Sequence, residues 1–255
     1  MKEIIKKLKK AKEYTIFVVG DSITEGARAT DDDHTYTAAF ARGLAKEFPA
    51  RTILRYDGKR FNHPDAEKMN LQAFEGPYRV QSGEEGTITI VRNGLGGNTA
   101  KRLLKRKNDY IGKEFDGRTA DLYILMLGIN DSIQTNPEKY AEPKVFYEDL
   151  ENLLSALRKG NPKADLIFMT PTYNDYGREA ISTVSPYAEE MRRLCQKHAL
   201  PLVDQHRLWM DHLQIGAIND GQGDWLTGQK GDHCHPSNIG HQAIADELLR
   251  CLFSL

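Results

Sequence analysis

Short apolar runs alternate with amphipathic helical patterns along almost the whole chain, and this alternation limits the possible folds more than any other feature. The third run, LYILML, is apolar throughout, as expected for a strand buried on both faces. The pattern predicts a parallel sheet with helices on both faces. The strand candidates are Thr15–Gly20, Thr87–Arg92, Asp121–Gly128, Asp165–Thr170 and Leu200–Asp204. Helical patterns lie near residues 35–48, 99–107, 142–160, 183–199 and 237–253.

One segment interrupts this rhythm. Residues 55–86 are too long for an ordinary connection and contain several Gly and Pro turn signals. We interpret them as an insertion, with a hairpin that turns at Asp57-Gly58. The sequence shows neither a repeat nor a Ser/Gly-rich linker, and 255 residues with 40% hydrophobic content suffice for a sizeable core. We therefore expect a single domain over residues 1–255.

The first segment, residues 1–13, has the spacing of an amphipathic helix. Its apolar positions are Met1, Ile4, Ile5, Leu8 and Ala11, and lysines occupy much of the remainder. The favoured interpretation is a helix packed on its own domain with the lysines in water. The alternative is a helix that lies on a membrane surface.

Charge and cysteine content indicate the class of partner and the compartment. A net charge of −1 provides no overall field to attract nucleic acid or an anionic membrane. The three cysteines, Cys195, Cys234 and Cys251, form no CxxC motif and favour a reducing compartment. No apolar run approaches the roughly 18 residues of a membrane span. We expect a cytoplasmic protein that acts on a small molecule without stable membrane insertion, and a homo-oligomer remains open.

Two competing interpretations are a small-molecule-binding module without catalytic activity and a phosphate- or nucleic-acid-binding module. A basic stretch near the second strand carries the latter. On a helix, such residues more often form a solvated face, so we expect no nucleic-acid partner. The basic residues are Lys101, Arg102, Lys105, Arg106 and Lys107.

Glycine and small polar residues follow the first three predicted strands. They read GDS with Ser22, NGLGGNT over residues 93–99, and GIND over residues 128–131. In open α/β sheets, ligands bind beyond the carboxyl ends of the strands, where these segments would lie. Each segment alone has a structural interpretation, as a helix cap or a tight turn.

Near the end of the sequence, Asp232 and His235 lie three residues apart, directly before Pro236 and a helical pattern. Proline suits the first turn of a helix, so both residues fall in the loop that precedes it. This spacing lets a carboxylate accept from Nδ1 of the imidazole and leaves Nε2 to act as a base for a nucleophile.

The same stretch also admits a metal-site interpretation. Adjacent residues rarely converge on one ion, and the chain has no zinc-finger or HExxH spacing, so we expect neither a metal nor a cofactor. The metal-capable residues are Asp232, His233, Cys234, His235 and His241.

Taken in order, the four segments resemble the blocks of the SGNH hydrolases, also called the GDSL esterase/lipase family. The resemblance covers residues 15 to about 250 and departs from the family's name only in Ile23, which stands where that name has Leu. It implies that Ser22 is the nucleophile, with Asp232 and His235 completing a catalytic triad. It also implies an oxyanion hole formed by Ser22, Gly97 and Asn130.

The resemblance further implies a flavodoxin-like, three-layer α/β/α sandwich with five parallel strands in the order 2-1-3-4-5. The implied activity is hydrolysis of a carboxylic ester through an acyl-enzyme, without a cofactor. For the substrate we favour a short acyl group, such as acetyl, on a carbohydrate or other polar alcohol. Lysophospholipase and thioesterase activities are the alternatives within the family. We expect Asp21, Tyr173 and Trp225 to contact substrate, the latter two through aromatic rings.

Overall fold

The computed structural model describes residues 1–58, 74–112, 114–115, 117–174, 183–214, 225–226, 232 and 234–253. Within these ranges the strands form one seven-stranded sheet in the order β3-β2-β4-β1-β5-β6-β7. The strands are β1 (Glu13–Gly20), β2 (Thr52–Gly58), β3 (Phe74–Gln81), β4 (Thr87–Gly94), β5 (Leu122–Met126), β6 (Asp165–Met169) and β7 (Leu202–Val203).

The five predicted strands are all present and adjacent. They correspond to β4, β1, β5, β6 and β7, and each neighbouring pair is parallel. This is the predicted order 2-1-3-4-5, so the prediction of a parallel α/β sheet is confirmed. Strand β5 is buried along its whole length, as its uninterrupted apolar sequence requires.

Two further strands extend the sheet beyond the prediction. Strand β2 pairs in parallel with β4, and β3 pairs antiparallel with β2. The predicted turn at Asp57-Gly58 is wrong, because both residues are paired within β2. Asp57 is 2% exposed and its carboxylate accepts from Arg55 Nε at 2.9 Å, which favours a strand position over a solvent-exposed turn. The connection between β2 and β3 lies outside the described residues.

Helices cover both faces of the sheet, and each face has its own apolar core. Helices α1, α3 and α8 enclose the first core, and α4, α5 and α6 enclose the second. Alternate residues of β1 face opposite cores, with Val18 in the first and Val19 in the second. The helices are α1 (Lys2–Lys10), α2 (Ser22–Glu25), α3 (Tyr36–Glu47), α4 (Ala100–Lys105), α5 (Pro143–Gly160), α6 (Ser185–His198), α7 (Gln205–Gln214) and α8 (Asn238–Phe253).

Helix α7 was not predicted, since its sequence, QHRLWMDHLQ, is largely polar. It is fixed by the buried Trp209, which belongs to the first core, and by the Gln205 side chain, which donates to the carbonyl of Ile244 at 3.0 Å. Its formation therefore depends on contacts with residues distant in sequence.

The amino-terminal helix packs on the domain, as the favoured interpretation predicted. Ile4 and Leu8 are 3% and 0% exposed within the first core. Lys7 Nζ donates to both oxygens of Asp165, at 2.8 and 2.9 Å. Among the described helices, none has the length and hydropathy needed to cross a membrane.

A buried ion-pair cluster lies at the carboxyl ends of β2 and β4. Asp57 Oδ1 lies 3.1 Å from Arg92 Nε, and Asp57 Oδ2 lies 2.9 Å from Arg55 Nε. Arg92 also donates to the carbonyl of Glu25 at 2.7 Å and to Asp32 Oδ1 at 2.7 Å. The cluster thus ties the sheet to the loop that follows α2.

We expect Asp57→Ala to lower the free energy of unfolding by about 3–5 kcal/mol, because two buried guanidinium groups lose their buried counter-charge and keep only partly or largely exposed ones, Asp32 and Asp33. Asp33→Ala is the matched control, since this carboxylate also pairs with Arg55, at 3.0 Å, but its side chain is 80% exposed. It should change stability by less than about 1 kcal/mol. Urea denaturation of both variants measures the difference, and equal effects would contradict the assignment of a stabilising role to the buried pair.

Candidate active site

Ser22 lies at the carboxyl end of β1, where the chain turns directly into the short helix α2. A Cβ on Gly20 would come within 2.2 Å of Thr24 Oγ1 and 2.7 Å of the Met126 carbonyl, so the tight turn requires glycine there. Asp21 caps α2, because its Oδ1 accepts from the backbone N–H of Ile23 at 2.9 Å. The turn places the Ser22 hydroxyl at the edge of the sheet where the carboxyl ends of the parallel strands meet.

The side chains of Ser22, His235 and Asp232 form one hydrogen-bonded chain. Ser22 Oγ lies 2.8 Å from His235 Nε2. His235 Nδ1 lies 3.0 Å from each oxygen of Asp232. A carboxylate on Nδ1 fixes the proton on that nitrogen, so Nε2 can accept the serine proton. The two residues predicted from their spacing and the predicted serine are therefore brought together.

Three contacts hold the histidine loop and α8 in place. The backbone N–H of Ser237 donates to the carbonyl of Trp225 at 2.8 Å. Asn238, at the start of α8, exchanges two hydrogen bonds with Thr30, its Oδ1 accepting at 3.0 Å and its Nδ2 donating at 2.9 Å. His241 Nε2 lies 3.2 Å from the carbonyl of Ala27. The loop after Ser22 and the helix after His235 are thus joined directly.

The negative charge of this hydrogen-bonded chain lies on Asp232, whose side chain is 4% exposed. Burial opposes its charge, but hydrogen bonds from His235 and Arg28 outweigh burial and hold the pKa of Asp232 well below its usual range. Burial likewise lowers the pKa of His235, and its hydrogen bonds with Asp232 and Cys234 outweigh this and raise the pKa above its ordinary value. The pair therefore favours the charged imidazolium.

The predicted oxyanion residues lie on two adjacent turns. Gly97 has a φ of +75°, and a Cβ on it would lie 3.1 Å from Lys139 Nζ. Asn130 is 6% exposed, and its Nδ2 donates to the carbonyl of Asn98 at 3.0 Å. Lys139 Nζ also donates to Asn130 Oδ1 at 3.5 Å, so the amide is held from both ends. A Cβ on Gly96 would lie 3.9 Å from Ser22 Cβ, which places this turn against the serine.

Asp21, which was expected to contact substrate, lies in the interior. The residue is 1% exposed and its carboxylate caps α2. Burial raises the pKa of Asp21 to about 6. It supports the turn that carries the serine, and its contact with substrate stays a prediction.

The two aromatic candidates take part in packing around the site. Tyr173 and Trp225 are both partly buried against the first core. The Trp225 ring stacks on His212, with centroids 3.7 Å apart, and meets Trp209 edge-on at 5.1 Å. Contact of either ring with substrate stays a prediction.

The alternative of a metal site involves residues of the Ser22–His235–Asp232 hydrogen-bonded chain and the neighbouring Cys234. Donor atoms of Asp232, Cys234 and His235 lie within 4.8 Å of one another. Hydrogen bonds already engage these groups, because Ser22 contacts His235 Nε2 and Arg28 donates to one Asp232 oxygen at 2.6 Å. The arrangement fits a polarised serine better than a metal-ligand set.

Sequence reasoning missed three residues that border the site. Arg28 contacts Asp232, Lys139 contacts Asn130, and the Asn98 carbonyl accepts from Asn130. Arg28 and Asp232 are 204 positions apart in the chain, so no local spacing connects them. Asn98 lies within the predicted NGLGGNT segment but was assigned no role, and Lys139 has no pattern of its own.

The sequence matches the profile of the GDSL-like lipase/acylhydrolase family over residues 16–248. No curated protein has a sequence that matches the chain.

Solved structures of esterases share the fold. A two-domain esterase active on acetylated mannans aligns with a TM-score of 0.67 and 18% identity, covering 98% of this chain and 51% of that one. The chain thus spans about half the length of that esterase. An acetyl-xylooligosaccharide esterase variant from a Geobacillus species aligns with a TM-score of 0.63 and 20% identity, covering 95% of each chain. An acetyl xylan esterase, AlAXEase, aligns at 0.61 and 18% identity, covering 94% of this chain and all of that one.

The family profile extends over most of the chain, from β1 through α8, and so includes all four motif segments. The chain belongs to the GDSL-like lipase/acylhydrolase family.

Proposed function

We propose that this protein removes a short acyl group, such as acetyl, from a carbohydrate or other polar alcohol. The observation that carries the proposal is the chain from Ser22 Oγ to His235 Nε2 at 2.8 Å, with Asp232 on the other imidazole nitrogen. Such a chain activates a hydroxyl that is otherwise a weak nucleophile at neutral pH.

In the proposed mechanism, Ser22 Oγ attacks the ester carbonyl while His235 Nε2 takes the hydroxyl proton. The imidazolium that forms is stabilised by Asp232. His235 then returns the proton to the leaving alcohol, and the acyl group remains on Ser22. Water hydrolyses the acyl-enzyme with His235 again as the base, which regenerates the free serine.

The negative oxygen of the tetrahedral intermediate requires donors that are already in place. We assign this role to the backbone N–H groups of Ser22 and Gly97 and to the Asn130 amide. An amide NH₂ carries two N–H groups, and one of those of Asn130 donates to the Asn98 carbonyl. The second is the donor that we propose for the substrate oxygen.

The polar alcohol is favoured by the surroundings of the oxyanion residues. A cavity of about 620 Å³ lies beside the turns that carry them, and Lys139, which contacts Asn130, forms part of its wall, whereas the proposed catalytic and oxyanion residues do not line it. Most of the lining residues have polar or charged side chains, which suits hydroxyl groups better than an acyl chain. The acetylated glycans named for the solved neighbours support the same substrate class. The lining residues include Thr99, Lys101, Arg102, Lys105, Lys139, Tyr140 and Glu142.

Substitutions at the nucleophile and at the oxyanion amide should differ in severity. We expect Ser22→Ala to lower kcat for p-nitrophenyl acetate by at least about 10⁴-fold, because the covalent route is lost. Asn130→Ala should lower kcat by about 10²–10³-fold, since one of several donors is removed. Gln134→Ala is the matched amide control, because this residue lies four positions away and is exposed. A Ser22→Ala variant with wild-type turnover would eliminate the proposal.

Activity should depend on pH in the direction set by the histidine. His235 must be neutral to accept a proton, and its pKa is raised, so activity is lost as the pH falls through that value. We therefore expect the midpoint of the acidic limb of kcat/KM to lie above about 6.5, the ordinary value for histidine. Initial rates in buffers from pH 5 to 10 measure it. A rate that stays constant between pH 5 and 8 would exclude His235 as the base.

A panel of esters tests the substrate class. A lipase-like acyl site gains about 0.8 kcal/mol, roughly fourfold in affinity, for each buried CH₂. Since most residues that line the described cavity have polar or charged side chains, we expect kcat/KM to stay flat or fall from acetate through butyrate to octanoate. Acetylated xylo- and manno-oligosaccharides should be deacetylated, whereas a lysophospholipid and an acyl thioester should react poorly. A steep rise with chain length would favour a lysophospholipase or thioesterase instead.

A further inference from the structure

The guanidinium of Arg28 contacts the carboxylate that supports His235. Arg28 Nε donates to Asp232 Oδ2 at 2.6 Å, and the carboxylate also accepts from the backbone N–H of His235 at 3.1 Å. The Asp232 side chain is 4% exposed, whereas that of Arg28 is 47% exposed. The ion pair thus closes the solvent side of a nearly buried carboxylate.

The backbone presents Arg28 to Asp232 in an uncommon conformation. Its φ is +67°, in the left-handed region that non-glycine residues seldom occupy. Such a conformation persists only where the surroundings determine it. Here the flanking residues Ala27 and Thr30 are hydrogen-bonded to His241 and Asn238 of α8, the helix that follows His235. The loop after the serine therefore delivers Arg28 to the histidine loop.

We infer that Arg28 is a positioning residue for ester hydrolysis: it locks the Asp232 carboxylate against His235, and its charge keeps the imidazole available to accept the Ser22 proton. This inference rests on the proposed function. Asp232 raises the pKa of the imidazole and so widens the pH range over which His235 is charged and cannot act as a base. A cation on the far oxygen of the carboxylate offsets part of that attraction.

Other charged and titratable groups lie near the imidazole and influence its pKa in the test. Asp232 and Cys234 come from its own loop, and Cys234 Sγ lies 3.8 Å from Nδ1. Asp21 interacts with it from the turn between β1 and α2. Lys139 lies on the oxyanion side and interacts with both Cys234 and Asp21. Arg28 differs from all of these because it acts through Asp232 and is accessible to substitution without opening the core.

Two variants separate charge from hydrogen bonding. Arg28→Gln keeps an N–H donor and removes the charge, whereas Arg28→Lys keeps the charge and removes the planar fork. We expect the acidic limb of kcat/KM for p-nitrophenyl acetate to move up by about one pH unit in the Gln variant, because the imidazolium loses a nearby positive charge that repels it. That shift lowers the neutral imidazole at acidic pH about tenfold. The limb should keep its position in the Lys variant.

The control is Arg207→Gln, which removes an arginine whose side chain is 78% exposed on α7. Its profile should superimpose on that of the wild type. The inference is overturned if the Gln profile also superimposes, or if the Gln and Lys variants shift equally. If the Gln variant is unstable, the rate of fluorophosphonate labelling against pH in the Lys variant tests the charge alone, and a shifted profile there overturns the inference.

Labelling of the wild type distinguishes this failure from failure of the proposed function. A fluorophosphonate probe that attaches to Ser22 of the wild type, together with unshifted variants, rejects only the role of Arg28. Absence of labelling at Ser22 rejects the proposed function on which the inference rests.

Discussion

The hydrogen bond between Ser22 Oγ and His235 Nε2 joins residues that are 213 positions apart. Residues so far apart in sequence meet because β1 lies at the centre of the sheet and α8 packs on one face of it. Hydrogen bonds of Thr30 with Asn238 and of Ala27 with His241 join the loop after Ser22 to α8, and so keep the serine and the histidine close together. Much of the surrounding structure serves to keep this distance short.

The pKa values of three carboxyl groups near the serine are shifted in different directions by their surroundings. Burial raises the pKa of Asp21 to about 6 and that of Asp131 to about 8. For Asp232, hydrogen bonds from His235 and Arg28 outweigh burial and lower the pKa. Environments that separate pKa values in this way assign different roles to chemically equal groups. Asp232 therefore carries the negative charge that a protonated His235 needs. Asp21 caps α2, and Asp131 accepts from the backbone N–H of Ala100, the first residue of α4, at 3.0 Å.

Two arginines, the buried Arg92 and the partly exposed Arg28, connect the elements that carry these groups. Arg92 connects β4 to Asp57 of β2 and to the carbonyl of Glu25, directly after the catalytic turn. Arg28 then connects the same loop to Asp232. The guanidinium group suits this task because its N–H donors lie in a rigid, planar arrangement and because the group remains charged on burial. Structural and chemical parts of the molecule meet in this one loop.

The sequence by itself determined the parallel sheet and the segments that carry Ser22, Asn130 and the Asp232–His235 pair, whereas the order of the five strands was implied only by the resemblance to a known family. These signals are local: hydrophobic periodicity reports burial within an element, and the motif residues follow predicted strands or precede a helix. The tertiary structure alone decided that Asp57 belongs to a strand, that Asp21 is a buried cap, and that Arg28 and Lys139 border the site. Asp57 and Arg28 meet partners distant in sequence, Arg92 and Asp232, and the burial of Asp21 depends on the elements packed around it. Local patterns contain no information about such packing.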